Sequence, residues 1–468
     1  MSLQAGFAKC DITPALGCAM AGYGARDHGA ESLEDPLEAR VLVLKNGDSG
    51  FAIVCTDLIG VDKGTVADIR AKTGELTDLA PEQVMICGSH THFGPSLKAS
   101  GYHTEELKAA VSEDYRLNLV ASIAGIVTEA CEHTQPARVG YGTGRAWGIS
   151  FNRRPVNVAE RQVAMRLTME PEQAVLASYE GAKLADAWPK HGHMGPRLTP
   201  PLPELDGVSA GIADNEVPIL RVDTEAGVPL ATLVSFACHA VVNSEHGYAI
   251  SADYPGQLRW AFERIIGGQV LFAAGCAGDQ VPTWRRGNSR QRVGRALGSE
   301  AAATWQKIEE LTDDPLLGSV SRTVELPLPP DYPTPDQVRE KMDAIEDKAS
   351  PECRWLMYQL VQVEKYHECT TVPREMWAAR IGDMGIVCTP GETLVEIGLQ
   401  LKQRSPFAHT SVISIANDYA DYLCTDNAIK EGGYEPGKGY NPSGPGTEAA
   451  LVENGVDMLQ QLYAAGEA

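Results

Sequence analysis

The chain has 468 residues, 43% of them hydrophobic, and a formal net charge of −22 at pH 7, with a pI of about 4.9. That length and apolar content support a substantial core, expected here as a single domain over 1–468. Lys and Arg form no dense run, so nucleic acid, or an anionic membrane held by charge, would meet long-range repulsion and is not expected as a partner.

The opening segment MSLQAGFAKCDITP has no apolar leader, and no apolar run approaches the length of a membrane span. A cytoplasmic location is expected, or a secreted one if a leader has been removed. Short Val- and Ile-rich runs bounded by Gly or polar residues then read as strands: RVLVL, FAIVC and EQVMIC in the first hundred residues. The segment Glu113 to Glu132 has helical spacing through Leu119, Ile123, Ile126 and Val127. Residues 169–214 are rich in Pro, Gly and charge and read as a rim insertion. ATLVSFA and QVLFAA are further strands. Between them YPGQLRWAFERII reads as a helix, with Pro255 at a first helical position and Leu258, Phe262 and Ile265 on one face. Residues 328–372 start as LPPDYPTPD, continue as a charged helical stretch and read as a second insertion, either a lid or a solvated connector. MGIVC and SVISI are strands, and Val452, Val456, Leu459 and Tyr463 mark a closing helix. The alternation predicts an α/β fold of mixed β-sheets with flanking helices. No internal repeat of fixed period is visible. The 11 cysteines are scattered, mostly in apolar runs and without a CxxC pair. They read as small buried hydrophobes in a reducing compartment rather than as a disulfide framework or thiolate metal site.

Chemistry collects where the strands stop. EQVMIC delivers Ser89, His90 and His92; ATLVSFA delivers His239; QVLFAA delivers Asp279; MGIVC delivers Glu392; SVISI delivers Asn417, Tyr419 and Tyr422. Ligands of open α/β sheets bind beyond the carboxyl ends of the strands. Imidazoles and carboxylates suit a divalent transition metal. His90 and His92, two apart, point the same way if the backbone there is extended. His191 and His193 repeat the HxH pattern, but without a preceding strand, and read as a loop feature.

The motifs are more specific than their parts. GSHTHFGP at 88–95 resembles the SHTHxGP motif of the neutral, non-lysosomal ceramidases. AKCDITP (8–14), MAGYG (20–24), FNRRP (151–155), FACHA (236–240), SADYPG (251–256), AGDQVP (277–282), RIGDMGIVCTPGE (380–392) and DYADYLCTDNAIKEGGYE (418–435) are similar to that family's other elements, in its order. The resemblance runs from about residue 6 to the end of the chain. It covers the family's catalytic N-terminal domain and neither its secretion signal nor its C-terminal immunoglobulin-like domain.

The resemblance implies one Zn2+ per chain held by His90, His239, Glu392 and Tyr422. It implies His92 as the acid/base group, with Tyr434 and Arg153 stabilising developing negative charge. Asp253 and Asp279 are expected to support these groups or form turns. Arg154 follows Arg153 where the family has Ser, and SLK follows the histidine motif where the family has glycines. The activity implied is hydrolysis of a linear N-acyl amide by attack of a zinc-bound water. The substrate is a small molecule or lipid, and sphingolipid metabolism is the family's setting. A zinc esterase, lactonase or phosphoesterase would use the same residues, and a non-catalytic ligand-binding relative is a third reading. The retained set weighs against that third reading.

Overall fold

Strands that are apolar on both faces belong to sheets covered on both sides. The computed structural model has that arrangement and describes residues 2–157, 160–170, 173–174, 204–205, 208–243, 247–348, 350–437, 441 and 443–466. An eight-stranded sheet runs in the spatial order Gln269–Ala274, Pro229–Phe236, Glu216–Thr224, Gln135–Arg145, Gln4–Asp11, Glu38–Asn46, Ser49–Thr56 and Val84–Gly88. Only the two outermost pairs are parallel. A four-stranded sheet follows the order Leu317–Pro327, Thr371–Ile381, Met384–Cys388 and His409–Ile413, again with one parallel pair at its end.

One unit builds all three parallel pairs of these two sheets. An antiparallel hairpin is followed by a helix that crosses back to a third strand, parallel to the second, because parallel neighbours need such a crossover. The crossing helices are Lys63–Leu76, Asp253–Ile265 and Val395–Arg404.

Side-chain alternation sets the layers. Val41, Val43, Ala52, Val54, Val84 and Ile86 pack beneath helix residues such as Ile69 and Ile123. The intervening Leu42, Leu44, Phe51, Ile53 and Met85 meet Trp377, Ala379, Ile386 and Ile413 of the second sheet. That sheet's other face, with Met376, Ala378 and Val387, packs against Ile397, Leu401 and Leu459. The order is helices, sheet, sheet, helices.

The seven runs read as strands are strands, and the helices predicted at 113–132 and at the end of the chain are Glu113–Glu132 and Thr447–Ala464. Pro255 lies within the first turn of Asp253–Ile265 rather than at its start. First-turn amides have no acceptor in their own helix, so the proline costs nothing there. The strand Gln135–Arg145 escaped pattern reading because Gly140, Gly142 and Gly144 interrupt it. A Cβ at Gly140 would lie 2.6 Å from Ile308 and one at Gly144 2.4 Å from Thr304, so the glycines admit the neighbouring helix. The 328–372 insertion carries helices Pro335–Asp343 and Pro351–Tyr366. Most of 169–214, including His191 and His193, lies outside the described residues.

A buried charge latch ties the first unit to the second. Arg259 of the Asp253–Ile265 helix donates to both oxygens of Asp57, at 2.7 and 2.5 Å. Glu38 accepts from Arg40 at 2.8 Å and from Lys9 at 3.0 Å. Burial alone would raise the Glu38 carboxyl, but the Arg40 and Arg259 guanidiniums outweigh it and hold the pKa at about 2. A depressed carboxyl stabilises the fold above its ordinary pKa of 4.5 and loses that contribution as the pH falls towards 2. Thermal melts across this range should show Glu38→Gln less stable than wild type at neutral pH, with the gap closing below about pH 4. A gap that stays constant down to the acid limit would refute the latch.

Candidate metal centre

Strand ends far apart in sequence meet because their backbones are stitched together. Beyond Gly88 the Ser89 amide donates to Thr56 O at 2.8 Å, the His90 amide to Leu58 O at 3.0 Å and the His92 amide to Ala240 O at 3.1 Å. The His239 amide donates to Gln280 O at 2.9 Å. Here the sequence expectation needs correcting. His90 is not extended: its φ is 63°, in the left-handed region that non-glycine residues seldom occupy. The two rings converge through that kink, with Nε2 of His90 and His92 3.3 Å apart.

The protonation of two imidazoles follows from their neighbours. His90 Nδ1 lies 2.8 Å from Ile59 O, and His239 Nδ1 lies 2.6 Å from Ala277 O. A carbonyl only accepts, so both Nδ1 atoms carry hydrogen, and in the neutral ring Nε2 is left with a bare lone pair. Both Nε2 atoms face Glu392 Oε2, at 3.4 Å for His90 and 3.3 Å for His239. Bare nitrogen and carboxylate oxygen are both acceptors, so no hydrogen bond joins them. His239 Nε2 and Glu392 Oε2 are buried without a hydrogen-bond partner among the described residues. Leaving such atoms unsatisfied costs about 1–3 kcal/mol each. Ligands at about 2.0–2.1 Å around a tetrahedral ion stand about 3.3–3.4 Å from one another, so a cation satisfies them all.

His92 belongs to the same group of side chains, whose nitrogens lie within 4.8 Å of one another. It differs in one respect. Its Nδ1 is buried without a partner among the described residues, whereas metal-bound imidazoles nearly always donate their second N–H. Packing positions it instead. The Tyr23 ring lies 5.2 Å from its own, and Arg26 donates to its carbonyl at 2.7 Å. A Cβ on Gly22 would lie 2.5 Å from its ring, so only glycine fits there.

Burial, reinforced by its neighbouring imidazoles, pushes His92 well below the ordinary imidazole range. Burial likewise lowers His239 to about 4. His92 and His239 are therefore neutral rings at neutral pH.

Tyr422 enters on the strand Ala420–Leu423, which pairs with Gly391–Thr393 so that Tyr422 stands opposite Glu392. Burial raises its phenol well above 10. Arg153 donates to Tyr422 Oη at 3.1 Å and to Gly278 O at 2.9 Å. Its guanidinium lies 5.4 Å from the ring of Tyr434, which is 43% exposed and stands at the mouth of the site.

Asp279 accepts from Asn152 at 2.6 Å and from the Val395 amide at 3.0 Å, and Asp253 accepts from the Val242 amide at 2.8 Å. Both hold loops that carry the central residues. Sequence reading missed Glu435, fully buried, which accepts from Arg153 at 2.7 Å and also binds Arg154. The RR pair was its signal, since two buried guanidiniums demand a carboxylate. It also left Tyr419 without a role; its hydroxyl donates to Glu392 Oε1 at 3.1 Å.

Fold and site together define an α/β protein with a buried His/His/Glu centre at its strand ends. In particular, the fold is similar to that of neutral ceramidase from Pseudomonas aeruginosa, with TM-score 0.70 and 20% identity over 99% of this chain and 75% of that one. A second solved structure, a ceramidase complexed with C2, matches with TM-score 0.69 and 19% identity over 99% of this chain and 76% of that one. No protein-family model matches the chain, and no curated protein sequence does. The fold that the motifs implied is thus the fold observed.

Metal analysis of purified variants should separate the histidines. His239→Ala and Glu392→Ala should lose the ion, while His92→Ala should keep it. Loss of metal from His92→Ala to the same extent would make that residue a ligand.

Proposed function

We propose that the protein is a zinc-dependent hydrolase of linear N-acyl amides, with ceramide-like lipids among its substrates. The observation that carries the reading is the convergence of His90 Nε2, His239 Nε2 and Glu392 Oε2, at 3.3–3.4 Å from the carboxylate oxygen. Two imidazoles and a carboxylate suit zinc better than a hard cation such as calcium or magnesium. Tyr422 is the fourth ligand, its phenol ionising only with a cation beside it. Held there, zinc supplies a Lewis acid and lowers the pKa of water towards about 7.

The remaining steps fall to side chains. Neutral His92 takes a proton from the attacking water and delivers it to the leaving nitrogen, which departs poorly as an anion. Arg153, fixed by Glu435 and by Gly278 O, keeps a positive charge beside the carbonyl oxygen as it gains charge. Tyr434, at the mouth, offers a phenol donor to the same oxygen. The similarity of the fold to the two ceramidase structures supports an amide as the bond cleaved.

The 328–372 insertion supports an apolar acyl group. Tyr358 stacks on Tyr102 at 4.3 Å, Trp355 lies 4.8 Å from Tyr102, and the Tyr358 hydroxyl donates to Asp421 at 3.1 Å, one residue from Tyr422. The insertion is therefore read as a wall of the site and not as a connector.

Purified protein should contain about one zinc per chain and cleave N-acyl amines and ceramides. Chelation should abolish cleavage and added zinc should restore it. His92→Ala should lower kcat by about 10²–10⁴-fold with zinc retained. A substrate panel that includes esters, lactones and p-nitrophenyl phosphate tests the bond type, and turnover of the phosphate alone would overturn the amidase reading.

A further inference from the structure

Five arginines fall between residues 285 and 295 of a chain whose net charge is −22: Arg285, Arg286, Arg290, Arg292 and Arg295. Arg290 is paired with Asp35 and Glu34. The others follow the strand Gln280–Pro282, whose Gln280 carbonyl receives the His239 amide, and run into the helix Ser289–Gln306.

That helix packs very closely on Asp253–Ile265. A Cβ at Gly294 would lie 2.4 Å from Gln257 Cβ, and one at Gly298 2.6 Å from Leu258 O. The close approach brings the outer faces of the two helices into one surface. On it, Trp260 is 42% exposed and is flanked by two guanidiniums, Arg264 at 4.6 Å and Arg295 at 4.4 Å from its ring. Beside them Arg292 stacks on Trp284 at 4.0 Å. A shallow groove of about 470 Å³ lies between Asn288, Gln291, Arg292 and Arg295. Arg264, Arg286, Arg292 and Arg295 are exposed and have no carboxylate within ion-pair distance among the described residues.

We propose that this face docks on an anionic phospholipid surface. Four unneutralised guanidiniums on an acidic protein call for an anionic partner, and the charge complementarity is local. At physiological ionic strength the Debye length is about 8 Å, so the distant carboxylates that make the chain acidic are screened while the patch is not. Trp260 favours a bilayer over a nucleic acid: Arg264 and Arg295 already cover its ring, so a base would have to displace them to stack there, while the indole can enter the headgroup boundary with its guanidiniums in place. Each basic group near an acidic leaflet strengthens binding several-fold, so four act together.

The test uses the full chain and no substrate, so it stands or falls separately from the hydrolase reading. Wild-type protein is sedimented with vesicles of phosphatidylcholine alone, and with vesicles containing about 30% phosphatidylserine, a strongly acidic surface of the kind the patch fits. We expect binding only to the acidic vesicles, lost above about 0.5 M salt. Arg292→Glu/Arg295→Glu should weaken it at least about tenfold, and Trp260→Ser should weaken it with no change in charge. Lys72→Glu/Lys108→Glu, equal in charge change but elsewhere on the surface, should bind as wild type does. Circular dichroism checks that each variant is folded. Equal binding to both vesicle types, equal loss in the control pair, or binding to a single-stranded oligonucleotide without binding to vesicles would each overturn the proposal.

Discussion

Two N–H to carbonyl hydrogen bonds decide what the centre of this molecule can hold. His90 Nδ1 donates to Ile59 O and His239 Nδ1 to Ala277 O, and each bond turns a bare Nε2 towards Glu392. The carbonyls do not arrive by accident. Ile59 follows the second strand of its unit and His90 the third; Ala277 follows the third strand of the next unit and His239 the second. In both units parallel neighbours set the imidazole and the carbonyl side by side at the same end of the sheet. The third unit places Glu392 beyond its second strand, and the Gly391 carbonyl receives the Ile415 amide from beyond its third. The centre therefore depends on register in three places, and a slip of one residue in any of them would turn a donor away.

Charge around the centre is unlike charge over the rest of the chain. Arg153 and Arg154 share the single carboxylate of Glu435. Arg26, buried beneath the His92 loop, gives its donors to the carbonyls of Gly247, Ala21 and His92. Arg26 thus has no carboxylate partner among the described residues. Burying cations in this way is costly unless every donor is used, and here backbone oxygens take the place of counter-ions.

Much of this was legible in the sequence, for physical reasons that vary by element. Sheets covered on both faces leave continuous apolar runs, so the strands RVLVL, QVLFAA and MGIVC could be read directly. Strands with an exposed or glycine-lined face, such as Gln135–Arg145, could not. The threefold unit is repeated in topology and not in residues, so no period shows. His90 and His92 do converge, but not because the backbone is extended: their convergence comes from a left-handed kink that spacing cannot reveal. Glu435 was invisible as a lone glutamate until the two arginines it serves were found buried. The arginines from 285 to 295 are too dispersed to read as a run, and become a patch only when two glycines let one helix press against another.

His92 has the freedom that the other two imidazoles lack. Their tautomers are fixed by carbonyls, so each has one nitrogen committed and one left to a ligand. His92 has no partner at Nδ1 among the described residues, and its ring is held by the shape of Gly22 and the Tyr23 face. With no partner at Nδ1, its ring can gain or lose a proton there without breaking a hydrogen bond, while its Nε2 stays 3.3 Å from that of His90. That is the property needed in a group that must accept a proton and then return it without moving. A carbonyl at Nδ1 would have made His92 a better ligand, and a carboxylate there would have made it a stronger base that releases its proton less readily. In the mechanism proposed above, the arrangement would suit transfer in both directions and would separate the role of His92 from those of His90 and His239, although all three rings lie within one cluster.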